Sequence, residues 1–138
     1  MRSKSQIYAD IVFQQVRDLV AESPSEEHQK LAGKYRSLCK RSGGVMRTVG
    51  LIQFLTFLAA KAQKDREKHH EYLLHHLQAS LNETGVVLSA DPKALLRIVR
   101  EQALPEYLRT TTEVLKLLQW HRRMAEVLIA KEEPDESH

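Results

Sequence analysis

The stretch EKHHEYLLHH, residues 67–76, holds four of the chain's seven histidines. Histidine and glutamate are the side chains that hold transition metals and move protons near neutral pH, so metal chemistry is the first possibility to weigh. Glu67 and His70 make one Glu-x-x-His pair, the unit that di-iron bundles use twice, and the chain has no second pair. His70-Glu71 also begins a zinc-protease pattern, but the second ligand should fall at Leu74, and His75 comes one place late. The cluster therefore reads as a pH-sensitive face, either solvated or turned toward RNA, with no metal ligand and no cofactor expected; a histidine-rich metal-binding bundle stays open as the alternative. Nucleophilic chemistry has less support. Ser, Thr and Asp are scattered without a nucleophile-elbow sequence or a Gly-rich phosphate loop, and no enzyme is expected. Cys39 is the only cysteine, which excludes an internal disulfide and the zinc-finger spacings.

Charge gives a stronger signal. The net charge is only +3, but between His28 and Lys64 lie Lys30, Lys34, Arg36, Lys40, Arg41, Arg47, Lys61 and Lys64 with no acid among them. A local field of that sign points to a polyanionic partner, against the plainer reading of a lysine-rich solvated surface. The segment LLQWHRRMAEVL, 117–128, adds the only tryptophan beside a histidine and two arginines. At 100° per residue, Val114, Leu117, Leu118, His121, Met124, Ala125 and Leu128 share one stripe, and Trp120 falls at its edge. Arg109, Lys116 and Arg123, spaced by sevens, follow one flank about 10 Å apart, a spacing that can track phosphates. Lys30, Lys34 and Arg41 share a face of an earlier helix, opposite Leu31, Tyr35 and Leu38. The expected polyanion-binding set is Lys30, Lys34, Lys40, Arg41, Arg47, Lys61, Arg109, Lys116, Arg122 and Arg123. Trp120 reads as a packing residue, with base stacking as the alternative.

The elements that must position these residues are helices. Apolar positions recur every three or four residues, and Gly and Pro stand at joints. The expected class is all-α, a bundle of five to six helices in one domain over 1–130, with an acidic tail, KEEPDESH, from 131 to 138. The first helix spans about 4–21. Ser23 as cap, Pro24 and Glu26 open a second that stops at Gly43 and Gly44. A third, about 46–64, is apolar round much of its circumference and reads as the buried central helix. The others run about 68–82, from Asp91-Pro92 to about 103, and from Pro105 to about 130. VGLIQFLTFLAA, 49–60, is far short of the roughly 20 residues that cross a bilayer, so no membrane is expected and the reading is a soluble cytoplasmic protein.

Two segments resemble a known family. YLRTTTEVLKLLQWHRRMAEV, 107–127, is similar to the C-terminal helix of the small subunit of the type III-B CRISPR effector, the Cmr complex, through Tyr107, Thr111 or Thr112, Glu113, Trp120, Arg122, Arg123 and Ala125. KYRSLCKRSGGVMRTVGLIQFLTFLAAKA, 34–62, resembles the same family's Tyr-Arg-Ser-Leu helix and the apolar helix that follows it, through Tyr35, Gly50, Leu51, Phe57 and Lys61. SGGVMRTVG departs from the turn that relatives place before that apolar helix, and His121 stands where an apolar residue usually follows the tryptophan.

The resemblance implies a non-catalytic scaffold. Several copies would stack along the Cmr backbone subunit, beside other effector subunits, and line the channel where guide RNA pairs with target RNA. Cutting and cyclic-oligonucleotide synthesis would belong to other subunits. Trp120, Tyr35, Gly50 and Leu51 would be structural. The type III-A small subunit and a helical adaptor for an acidic protein are the remaining alternatives.

Overall fold

Ser3 opens the first helix with a reciprocal pair of bonds. Gln6 N–H donates to Ser3 Oγ at 3.1 Å, and Ser3 N–H donates to Gln6 Oε1 at 2.8 Å. In the computed structural model, which describes residues 1–131, six α-helices follow: α1 Lys4–Ala21, α2 Glu26–Val49, α3 Leu51–Ala62, α4 Lys68–Glu83, α5 Leu95–Glu101 and α6 Leu104–Leu128. Short 3-10 turns, Asp65–Glu67 and Pro92–Ala94, lead into α4 and α5. No strand occurs among the described residues, so the class is all-α as expected. No described helix is long and apolar enough to cross a membrane. The tail from 132 onward lies outside the described residues.

Several boundaries differ from expectation. Ser25, not Ser23, caps α2, accepting from His28 N–H at 3.1 Å beside Glu26 and Glu27, which suit the positive end of the helix. Ser23 Oγ instead accepts from Ser25 N–H at 3.2 Å and shapes the preceding turn. More consequential, α2 does not stop at Gly43 and Gly44 but runs through both to Val49. Leu38, Ser42 and Met46, four apart, are all buried, and this inward stripe holds the helix across two poor helix formers. The break falls at Gly50, whose φ of 87° and ψ of 168° only glycine adopts readily. There Gly50 N–H donates back to Met46 O at 2.8 Å, and its carbonyl accepts from Phe54 N–H at 3.0 Å, so one residue ends α2 and begins α3. α3 is correspondingly shorter than the expected 46–64. Gly85, at φ 76°, closes α4 in the same manner.

α3 is not the central helix. It packs against α4, α2 and α5 and leaves Gln53, Thr56 and Ala60 exposed. α4 is surrounded by α3, α2, α1 and α6, and buries Leu73, Leu74, Leu77 and Leu81 together with His69 and His70. The expectation of a solvated histidine face is therefore corrected for His69 and His70, which lie on covered sides of a helix packed on four neighbours, while His75 keeps 44% of its side chain exposed.

One buried hydroxyl connects three helices. Tyr35 Oη of α2 lies 2.7 Å from His76 Nδ1 of α4 and 3.0 Å from His121 Nδ1 of α6. A hydroxyl has one proton, so it donates to one ring and accepts from the other. His121 is fully buried and its Nε2 has no partner among the described residues, whereas His76 is only half-buried. The consistent assignment has His121 Nδ1–H donating to Tyr35 Oη, and Tyr35 Oη–H donating to His76 Nδ1 across the shorter bond. Protonating His76 would set a second donor against that hydroxyl. Burial and then the neighbouring His75 lower His76 to about 4, and burial and then His76 lower His121 well below the ordinary value.

The two kinds of glycine in and after α2 should respond oppositely to a methyl group. Gly50→Ala should cost about 1–3 kcal/mol through its positive φ. Gly44→Ala should instead stabilise by about 0.5–1 kcal/mol, since Gly44 is helical and its added methyl meets nothing within 4 Å. Urea melts of the two variants should shift in opposite directions. The buried histidines set a pH dependence as well. Unfolded histidines take up protons near 6.5, while folded His76 resists to about 4. Stability is thus complete above 6.5 and lost as pH falls toward 4, by up to about 1.4 kcal/mol per pH unit for each such histidine. Urea midpoints across that range should fall steeply, and less steeply in His121→Leu; equal slopes would remove His121 from the account.

Candidate nucleic-acid interface

The ten expected cations occupy three helices. Lys30, Lys34, Lys40, Arg41 and Arg47 are exposed on α2, Lys61 is half-buried in the last turn of α3, and Arg109, Lys116, Arg122 and Arg123 are exposed on α6. They do not form one surface. Lys30, Lys34 and Arg41 share one side of α2, where Lys34 Nζ donates to Arg66 O at 3.4 Å. Lys40 and Arg47, seven residues apart, lie about a third of a turn round the helix on a different side.

That second side faces α6 across a groove of about 370 Å³. Lys40, Gly43, Gly44 and Arg47 line it from α2; Leu118, Gln119, Trp120, Arg122 and Arg123 line it from α6. No acid is among these lining residues. Trp120 is half-buried, packed against the core as an edge residue of the stripe and also bordering the groove. Glu126, one turn along α6, accepts from Arg122 Nε at 3.4 Å and stands 3.7 Å from an Arg123 nitrogen. Exposed pairs of this kind are weak, so both guanidinium groups can exchange Glu126 for a stronger anion.

The flank spaced by sevens on α6 divides in the same way. Arg123 belongs to the groove, but Lys116 stands 3.7 Å from Glu113 at the seam with α1. Glu113 is buried and accepts from Tyr8 Oη at 2.7 Å and Lys4 Nζ at 2.6 Å. Burial alone would raise its carboxyl; the bonds from Lys4 and Tyr8 and the charges of Lys4 and Lys116 bring it below its ordinary value. Tyr8 moves upward, through burial first and then its bond to Glu113. Sequence patterning missed this buried carboxylate, whose partners lie 105 and 109 residues away. Its signals were its place in the family resemblance and its position on the inward side of a helical stripe. Cys39, at the groove's base, is pushed up to about 12 by burial, which leaves a protonated and unreactive thiol.

The histidine cluster gains a member that the spacing did not indicate. Nitrogen or oxygen atoms of Glu67, His69 and His70 lie within 4.8 Å of one another, so the structure brings a third candidate ligand to the Glu67–His70 pair. His70 Nδ1 is 2.9 Å from the Glu67 carbonyl, which can only accept, so this nitrogen carries its proton and the lone pair sits on Nε2, which has no partner among the described residues. Burial first, then His70 and the Lys34 and Arg41 charges, lower His69 to about 4 against the opposing pull of Glu67. All three residues thus keep a lone pair, His70 on its buried Nε2, but they lie close to those two cations. That arrangement suits a neutral, hydrogen-bonded interior better than a bound divalent ion.

Comparison with known proteins bears on the whole bundle. A family model described as CRISPR-associated protein (Cas_Cmr5) matches residues 4–128, from the first residue of α1 to the last of α6. The CRISPR system Cmr subunit Cmr5 of Thermus thermophilus is 32% identical over 130 residues, covering 94% of this chain and 98% of its own. The crystal structure of a CRISPR-associated Cmr5 family protein from the same organism is similar with a TM-score of 0.74 at 30% identity, over 94% of this chain and 100% of that one.

The Lys34 and Arg41 charges beside the cluster predict that one equivalent of zinc leaves the melting temperature of untagged protein unchanged. A rise of several degrees, abolished in His69→Ala, would mean that the cluster holds the ion despite those charges.

Proposed function

The chain belongs to the Cmr5 family of CRISPR-associated proteins, and from that membership we propose that it serves as the non-catalytic small subunit of a type III-B Cmr ribonucleoprotein. Its partners are then the backbone subunit and other effector subunits, guide and target RNA, and further copies of itself stacked along the backbone. In this reading its cations hold RNA strands through phosphates during antiviral targeting. The guide supplies sequence by base pairing, so the subunit needs charge and shape rather than base readout.

The observation that carries this reading is the surface of α2. Its only acids are Glu26 and Glu27 in the first turn, and Lys30, Lys34, Lys40, Arg41 and Arg47 beyond them are all exposed. Cations displayed without interleaved acids release counterions from a polyanion instead of neutralising one another.

A tagged pull-down from the native cell, analysed for proteins and small RNA, tests the assignment. Recovery of the other Cmr subunits with CRISPR-derived RNA is expected; recovery of neither would sink it. Within the recovered complex, the double reversal Lys34→Glu with Arg41→Glu should weaken RNA retention while leaving melting unchanged. For single-stranded RNA, the slope of log affinity against log salt should shrink by about 0.7 for each phosphate that the variant no longer neutralises. An unchanged slope would remove that side of α2 from the RNA surface.

A further inference from the structure

Gly43 and Gly44 sit together within the last two turns of a 24-residue helix, and nothing among the described residues requires either. Both are helical, since the glycines at positive φ are Gly50 and Gly85. A methyl at Gly43 would make an ordinary 3.6 Å contact with an Arg47 guanidinium nitrogen, and one at Gly44 would meet nothing within 4 Å. Glycine weakens a helix interior, yet here it relieves no crowding and permits no turn. What two adjacent glycines do create is a smooth backbone strip along the side of the α2–α6 groove, where something from outside can come close.

The groove's other features identify that visitor. Arg47, Arg122, Arg123 and Lys40 supply positive charge, and guanidinium forks match phosphate oxygens. Trp120, the only tryptophan, borders the same space with part of its surface exposed. A volume of about 370 Å³ falls in the range of small-ligand sites and does not enclose a helix about 10 Å across. Cation, flat aromatic and bare backbone in one small groove are what a single nucleotide unit needs.

We propose that the α2–α6 groove is a subsite for one nucleotide of a single-stranded RNA, whose phosphate lies against Arg47, Arg122 and Arg123 and whose base stacks on Trp120 over the Gly43–Gly44 strip. This rests on the RNA-binding reading above and sharpens it, because a stacked base is a contact that phosphate tracking alone does not provide. Glu126 acts as the resident competitor: in the unbound protein it neutralises the two α6 arginines, and an incoming phosphate displaces it. Stacking accepts any base, so the subsite adds affinity without sequence preference.

The single tryptophan makes the groove its own reporter. The full-length protein would be titrated at low salt with a 12-nucleotide oligouridylate, following Trp120 emission, and in parallel with the same RNA end-labelled, following anisotropy. Emission should be quenched with the same midpoint as the anisotropy rise. Gly44→Leu should remove the quench and weaken binding at least about fivefold, the lower end of what one stacked base contributes. Its melting temperature should stay level or rise, which separates a filled groove from a damaged fold. Glu126→Gln should tighten binding. Anisotropy without quenching would overturn the subsite and leave the broader RNA surface standing. Quenching by polyglutamate as strong as by RNA would overturn the nucleotide assignment in favour of an acidic peptide. Failure of RNA to bind by either readout would overturn both the subsite and the reading it rests on.

Discussion

The arrangement of the bundle depends on a hydroxyl with a single proton. Tyr35 Oη serves His76 of α4 and His121 of α6 at once, and with both rings neutral it donates to one and accepts from the other. Apolar packing between α2, α4 and α6 is tolerant of sliding, because leucines fit many neighbouring positions. A three-membered hydrogen-bonded chain is not. It fixes the rotation of α2 about its own axis relative to α6, since a change in register would strand a buried polar group at a cost of about 1–3 kcal/mol. That rotation in turn decides which residues of α2 face α6 outside the core. Gly43, Gly44, Lys40 and Arg47 line the groove because Tyr35 is anchored on the inner side of the same helix.

The same constraint distributes the charges. A helix has one circumference, and once Tyr35, Leu38, Ser42 and Met46 face inward, the cations of α2 are divided between its two outer flanks. Lys34 and Arg41 take the flank beside His69, and Lys40 and Arg47 take the groove. The histidines of α4 stay neutral partly because of this placement. Burial is the larger influence on His69 and His70, and the cations across the helix boundary add to it. Positive charge on the surface and uncharged imidazole within are two results of one packing arrangement.

Much of this was legible from residues alone, and the misses have identifiable causes. The limits of α1 and α4 could be read because apolar period and polar ends agree there. The class, the helical count and the exposed cations could be read for the same reason. The end of α2 was misplaced because Gly43 and Gly44 carry the strongest local breaking signal in that segment, while the competing signal, an inward stripe from Leu38 to Met46, acts only through tertiary packing. The inward turn of His69 and His70 was missed because composition marks histidine as polar, and only the four neighbours of α4 reveal which sides of that helix are covered. Glu113 carries no local sign that Lys4 and Tyr8 will reach it from the other end of the chain.

These misses also explain what a family resemblance of this kind contains. Tyr35 is the hub of the buried chain, Gly50 is the corner that joins α2 to α3, Leu51 starts the packed face of α3, and Glu113 joins α6 to α1. Each is held by several partners at once, so each is a position that the architecture cannot easily relinquish. The cations lie elsewhere, on flanks where a lysine side chain can be replaced or moved by a turn without disturbing any packed neighbour. A signature composed of the first kind of residue identifies the scaffold, while the second kind determines where the scaffold meets a polyanion. Trp120, Arg122 and Arg123 belong to both groups: they stand in the resemblance and also border the groove. Where a scaffold residue and a surface cation share one small space, fold and binding constrain the same positions, and that is the physical reason to look for contact there first.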